Sequence, residues 1–294
     1  VDFHATTNGT LLDEEKVAFI QEHDLQIMVS FDGPREIQNA QRPFADGKGS
    51  YDSVVPGIRR LLAVAPKTMG HAVLTGNADP QVVKGALREI GFQEVSILSA
   101  SRSLFSGRSG SAPERDSEAV LSSMEREVEQ WGRLIKKRDV EAIGALKSTS
   151  ELLVALLNLL HNAKRRHACG AGLGLVGVSC EGGVYLCHRF VGQEKYRLGS
   201  VFAPGLDRTR YGKSPLGFVE TCKRCFARYY CAGGCKHDNA GSCGTAFSPA
   251  EDLCRQRRRE LELAAVIAGG LDSADRDFLV EYDIVPPKPC PLDF

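Results

Sequence analysis

All ten cysteines of this chain fall from Cys169 onward, and four of them, Cys222, Cys225, Cys231 and Cys235, lie within TCKRCFARYYCAGGCKHDN (221–239). Glycines multiply over the same half and regular hydrophobic periodicity fades. Such a segment buries too little apolar surface to fold on that alone, so much of its folding energy must come from bonds made by sulfur. Three kinds of bond compete. Disulfides persist in oxidising compartments, but the opening residues VDFHATTNGT lack the basic start and apolar stretch of a secretory signal. The expected compartment is therefore the cytoplasm, where clustered thiols hold metal or do redox chemistry. Zinc takes tetrahedral sets of four ligands and iron–sulfur clusters take sets of four thiolates. The paired spacing suits both and leaves the choice open.

The rest of the chain is of globular composition, with 43% hydrophobic and 25% charged residues. Thirty-seven basic residues balance thirty-seven acidic ones, so no overall field draws the protein to nucleic acid or to an anionic membrane. The most apolar stretch, ELLVALLNLLHNA (151–163), is too short to span a bilayer and is expected as a buried helix.

The first hundred residues alternate in period. Apolar runs at DFHATT, LQIMVSF (25–31), His71–Thr75 and EVSILSA (94–100) are separated by helical spacings over 12–23, 51–64 and 80–90. Strands that are apolar throughout and joined by helices of this length predict a parallel sheet with covered faces. SRSLFSGRSGSAPERDSE (101–118) reads as a linker, followed by helices over 118–137 and 151–167. The tail KPCPLDF is broken by proline and expected to be extended. RQRRRELE (255–262) reads as a charged helix with a solvated face.

Taken in order, the cysteines read Cys169-x12-Gly182-x4-Cys187, then Cys222-x2-Cys225-x5-Cys231-x3-Cys235, then Cys254. This resembles the SPASM domain, the auxiliary-cluster domain of radical S-adenosylmethionine enzymes that modify peptides. TTNGT, VSFDGP and QRPFADGKGSYDSVVPGIRRL resemble the third and fourth strands of the radical SAM partial barrel with the loop and helix that follow. The resemblance implies an α/β fold in which a partial radical SAM barrel (1–110) is followed by a helical linker region (111–167), a SPASM domain (168–260) and a C-terminal helix with an extended tail (261–294).

It also implies cofactors and ligands. A second auxiliary [4Fe-4S] cluster would be held by Cys222, Cys225, Cys231 and Cys254, and a first by Cys169, Cys187 and Cys235. The family's fourth ligand to the first cluster stands six residues before the first cysteine, where this chain has Ala163. Cys180 is the candidate replacement, Cys243 the runner-up, and an open iron the third choice; for each of Cys180, Cys243 and Cys290 an unligated thiol is the alternative. Ser30 and Arg42 fall where the family contacts the methionine part of S-adenosylmethionine, and a hydroxyl with a guanidinium fork suits a carboxylate. Asp32-Gly33-Pro34 reads as a turn. His188 stands where a sulfatase-maturing branch has an aspartate base, and imidazole accepts protons near neutral pH.

CGAGLGLVGVSCEGGVYLCHRFVG, RYYCAGGCKHDNAG and PPKPCPLDF look like the branch that matures quinohemoprotein amine dehydrogenase by linking cysteine sulfur to Asp or Glu carbons. The partners implied are a peptide or small protein, such as an amine dehydrogenase small subunit, and an electron donor. These 294 residues contain no C-x3-C-x2-C triplet for the radical-generating cluster, and the chain opens with Val1 in a strand-like run. The expectation is therefore a fragment of a longer maturase, with a cluster-bearing peptide-binding module, or another SPASM maturase such as a sulfatase-maturing type, as the alternatives.

Overall fold

The computed structural model describes residues 4–75, 78–99, 117–147 and 149–285. They form two compact units, the first made of residues 1–101, 110–120 and 145–149 and the second of the remainder.

In the first unit, β1 (His4–Thr7), α1 (Glu14–Glu22), β2 (Gln26–Ser30), α2 (Arg35–Gln41), α3 (Tyr51–Val64), β3 (Met69–Leu74), α4 (Pro80–Ile90) and β4 (Glu94–Ser99) alternate along the chain. The strands pair in sequence order and all in parallel, with Thr7 beside Val29, Ser30 beside His71 and Leu74 beside Ser99. Parallel pairing forces each connection to cross the sheet, and the amphipathic helices α3 and α4 do so. Their apolar stripes supply Ile58, Leu61 and Leu87 to a core shared with Val29, Phe31 and Phe92. Helix ends follow local chemistry: the Asp13 carboxylate accepts the Lys16 N–H, and Asp79 caps α4 with Pro80 in its first turn. Gly70 has no side chain because a Cβ there would come within 2.8 Å of Leu87 and 2.9 Å of Phe92.

Downstream come α5 (Ser117–Lys137), α6 (Val140–Lys147) and α7 (Leu153–Leu160). Then follow a three-stranded antiparallel sheet of β5 (Gly177–Val178), β6 (Gly183–Tyr185) and β7 (Arg197–Ser200), the short helices α8 (Glu220–Lys223), α9 (Arg228–Cys231) and α10 (Lys236–Cys243), and α11 (Glu251–Gly269) and α12 (Ser273–Glu281). In the second unit α7 packs on α11. The start of α7 is secured by Glu127 of α5, a buried carboxylate that accepts the Ser150 hydroxyl at 2.6 Å and the Glu151 and Leu152 N–H groups at 3.0 and 3.3 Å. A second small core, with Leu186, Phe190, Tyr196, Leu198 and Tyr211, lies under the β5–β7 sheet.

Two expectations need correction. The helix expected over 151–167 stops at Leu160, because Asn162 takes a left-handed backbone (φ 50°). It is also only partly buried: Ala155 and Leu156 are enclosed but Val154 is 54% exposed. The expected boundary at 260/261 falls inside α11, which runs unbroken across it, and the charged helix expected over 255–262 is its central part. Most of the expected linker and the tail carrying Cys290 lie outside the described residues. Among the described residues no helix is long and apolar enough to cross a membrane.

Candidate metal centre

Cys222 and Cys225 are brought together by the tight turn after α8, in which the Cys225 N–H donates to the Cys222 carbonyl at 3.2 Å. Cys231 ends α9, and the chain reverses there through Ala232, Gly233 and Gly234, all at positive φ. Cys254 arrives from a distance on the first turn of α11. All four thiols line one cavity of about 360 Å³, together with Arg257 and Arg258.

Burial, and next the neighbouring Cys231 and Cys225, push the Cys222 thiol up; burial does the same to Cys231, and Cys254 is pushed up to about 11. Without metal these three thiols are neutral near pH 7, so ligation must expel protons. Below the cavity Glu260, 2% exposed, accepts the Tyr230 hydroxyl and an Arg257 N–H, both at 2.6 Å. This arrangement fixes a guanidinium beside the thiols, where it offsets the negative charge of a thiolate-ligated centre.

Four thiolates on one zinc sit about 3.8 Å apart, as 2.3 Å bonds in a tetrahedron require, whereas an iron–sulfur cluster takes four thiolates around a polynuclear core. Among the described residues no group of three or more His, Cys, Asp or Glu side chains is placed to hold a metal ion.

The three cysteines expected to hold the first cluster share Lys236 as an electrostatic neighbour. This lysine is 3% exposed, and burial pulls its ammonium down while Cys169, Cys235 and Cys187 act to hold it up, so it is a common neighbour of all three thiols. Cys169 and Cys187 pack on the same small core, and the Arg189 guanidinium lies 3.6 Å from the Cys235 sulfur and 2.9 Å from Asp238. Gly177 permits this approach, since a Cβ there would meet the Cys187 carbonyl carbon at 2.6 Å.

Cys180 does not join them. It sits exposed on the β5–β6 turn with its thiol on Glu181 at 2.9 Å. Cys187 follows β6 and passes beside Gly177, three residues along the chain from Cys180. Cys243 is also exposed, at the end of α10 and about 12 Å along that helix from Cys235. His188 opens a single 3₁₀ turn directly after Cys187 and is exposed.

At the carboxyl end of the parallel sheet the structure adds a residue that was read only as part of a turn. Asp32, 2% exposed, accepts Arg42 Nε at 2.6 Å, Arg42 Nη2 at 3.1 Å and the Val73 N–H at 3.1 Å. Arg42 is thus not a free surface charge: Asp32 holds two of its nitrogens and leaves Nη1 for another anion. Ser30 ends β2 half-buried, with His71 as its strand partner. Only the twelve-residue step from Ser30 to Arg42 was legible beforehand; the Asp32 contact depends on the fold.

No protein-family model matches the chain. The serine-type anaerobic sulfatase-maturating enzyme of Bacteroides thetaiotaomicron is 27% identical over 258 residues, which make up 80% of this chain and 61% of that protein. The chain therefore spans less than two thirds of the curated relative it matches. The solved structures of native anSMEcpe with bound AdoMet, and of native anSMEcpe with bound AdoMet and Kp18Cys peptide, align with TM-scores of 0.69 and 0.68 at 19% identity. Each covers 91% of this chain, and the chain covers 74% and 75% of them. The fold is thus the α/β fold of these maturases, with its parallel sheet. The curated relative is by name a sulfatase-maturating enzyme, and the solved structures contain bound AdoMet.

Proposed function

We propose that this chain is the auxiliary-cluster-bearing part of a radical SAM peptide maturase, an enzyme that oxidises a side chain of a peptide or small protein. The gathering of Cys222, Cys225, Cys231 and Cys254 on the wall of one cavity carries this reading. When bound, S-adenosylmethionine and its iron–sulfur centre supply a carbon radical that removes a hydrogen atom, and the auxiliary clusters supply an acceptor for the remaining electron.

The residues of this chain perform the supporting steps. Cys222, Cys225, Cys231 and Cys254 would hold the second cluster, and Cys169, Cys187 and Cys235 would hold the first. Arg257, fixed by Glu260 and Tyr230, offsets charge at the second. Arg42, oriented by Asp32, would present Nη1 to the methionine carboxylate, with the Ser30 hydroxyl on the neighbouring strand. His188, exposed beside Cys187, would accept the proton that leaves the substrate as its radical is oxidised.

The curated relative is a serine-type sulfatase-maturating enzyme, and the first reading is accordingly removal of two hydrogens from a serine side chain, which leaves an aldehyde. A second reading, sulfur–carbon crosslinking, is favoured by His188 standing where the sulfatase-maturing branch has aspartate. Both chemistries remove the same mass from a peptide, so the assay is carbonyl labelling: with a maturase that includes this chain, the aldehyde product reacts with a hydrazide and a thioether does not. The chain itself is tested by anaerobic loading. About eight irons with charge-transfer absorbance support two clusters, whereas bound zinc without that absorbance would end the reading.

A further inference from the structure

The second unit holds another cavity, of about 520 Å³, whose lining includes none of the cysteines. Its size falls in the range of about 300–1,000 Å³ usual for sites that enclose a ligand. Arg166 and Lys213 stand on its wall beside Phe218 and Tyr229, and no acidic side chain lines it.

Hydrogen bonds build this wall from three separate segments. The Ser214 hydroxyl donates to the Arg166 carbonyl at 2.5 Å, and the Arg165 N–H donates to the Tyr229 carbonyl at 3.0 Å. These contacts bring residues 164–166, the turn over 213–218 and α9 to one place. Phe218 is held edge-on by Phe247 at 5.3 Å between ring centres, and Phe247 in turn stacks on the buried Tyr211. Tyr229 carries the Arg228 guanidinium 4.9 Å and the Lys164 ammonium 5.9 Å from its ring centre.

Charge decides what such a cavity takes. Among the described residues neither Arg166 nor Lys213 has an acidic partner, whereas Lys136 is paired with Asp275 and Arg257 with Glu260. Both are exposed, and Lys164 adds a third exposed cation two residues before Arg166. A guanidinium fork and an ammonium suit carboxylates, and clusters of this kind recognise acidic motifs. A small inorganic anion would leave the exposed rings of Phe218 and Tyr229 uncovered, whereas a peptide brings apolar side chains to them.

The cavity adjoins the four-thiol one. A Cβ on Gly233, which lines the thiol cavity, would meet Pro215 at 2.8 Å, so the turn over 213–218 packs directly on that wall. α9 lies between the two, with Tyr229 on one cavity and Arg228 and Cys231 on the other.

We propose that this cavity is a docking subsite for an acidic segment of the peptide or small protein on which the maturase acts. Arg166 and Lys213 take its carboxylates, and Phe218 and Tyr229 take a neighbouring apolar side chain. This rests on the maturase reading above. The substrate is thereby held by a segment other than the one that reacts, against the wall of the proposed second centre.

The test is fluorescence anisotropy on the whole chain after anaerobic loading with iron and sulfide. The probes are a fluorescein-labelled peptide of Glu and Phe residues and its counterpart with Gln in place of every Glu. The Glu peptide should bind about tenfold tighter or more at low salt, as loss of one charge-assisted hydrogen bond requires, and added salt should narrow the gap. Arg166→Gln and Lys213→Gln should each remove most of that preference with iron content unchanged, and Tyr229→Leu should weaken both peptides. Lys67→Gln, an exposed lysine of the first unit, should change neither. If a variant fails to load iron, the wild-type comparison of the two peptides and its salt dependence still decide. Equal binding of the two peptides, or a preference that survives Arg166→Gln combined with Lys213→Gln, would overturn the subsite while leaving the clusters in place. Preference for the Glu peptide in a chain that takes up no iron would keep the acidic-peptide site and remove the cluster reading.

Discussion

Of the four cysteines proposed for the second centre, Cys254 is the one from outside the 222–231 segment, and replacing it with alanine has a calculable effect. Cys222, Cys225 and Cys231 are close in sequence and would hold a cluster locally, so Cys254 would act as a clip that ties α11 to that segment across a loop of 23 residues. Treating the clip as a cross-link on the unfolded chain, closure of such a loop contributes about 3.4 kcal/mol. At a urea dependence of about 2 kcal/mol/M, Cys254→Ala should lower the midpoint of the iron-loaded protein by about 1.7 M. The same measurement after iron is removed by a chelator should show little difference, because the Cys254 side chain is only half-buried and leaves a small void. An equal drop with and without iron would make Cys254 a packing residue. No drop in the loaded protein would show that it does not hold the cluster.

Three further outcomes follow from the geometry. Asp32→Ala strands Arg42 and the Val73 N–H; breaking a buried pair costs about 3–5 kcal/mol, reduced to about 2–3 because Arg42 is 30% exposed, and urea unfolding of the first unit should report it. Gly177→Ala drives a Cβ into the Cys187 backbone, so iron content should fall toward one cluster while the 222–254 site stays loaded; unchanged iron would refute the close approach. His71 is pulled below its usual value near 6.5 by burial and then by Arg42, so the unfolded chain binds more protons below that pH. Stability should therefore rise as pH climbs toward 6.5 and level off above it, and His71→Gln should flatten the slope in urea midpoints taken across that range.

The alternating half of the fold was legible because its strands and helices carry their own periods: α3 and α4 appear at the residues expected, since the 3.6-residue stripe and the Asp79-Pro80 start depend only on nearby sequence. What escaped depends on contacts across the chain. The end of α7 is set by the backbone at Asn162, and its start by Glu127 of a distant helix. Cys180 was a reasonable ligand by spacing; what the sequence did not show is that it stands exposed on the β5–β6 turn with its thiol on Glu181. Asp32 looked like a turn residue because its partners, Arg42 and the Val73 N–H, meet it only once β2 and β3 are paired. The cavity lined by Cys222, Cys225, Cys231 and Cys254 was the most legible part of the candidate site, because three of those four cysteines are close in sequence.

Iron and acid-labile sulfide, counted per chain after anaerobic loading and compared with Cys222→Ala/Cys231→Ala, test the account most directly. It requires about eight irons in the wild type, about four in the double variant, and charge-transfer absorbance halved in step. Zinc in their place, or an iron count indifferent to those two cysteines, would contradict it.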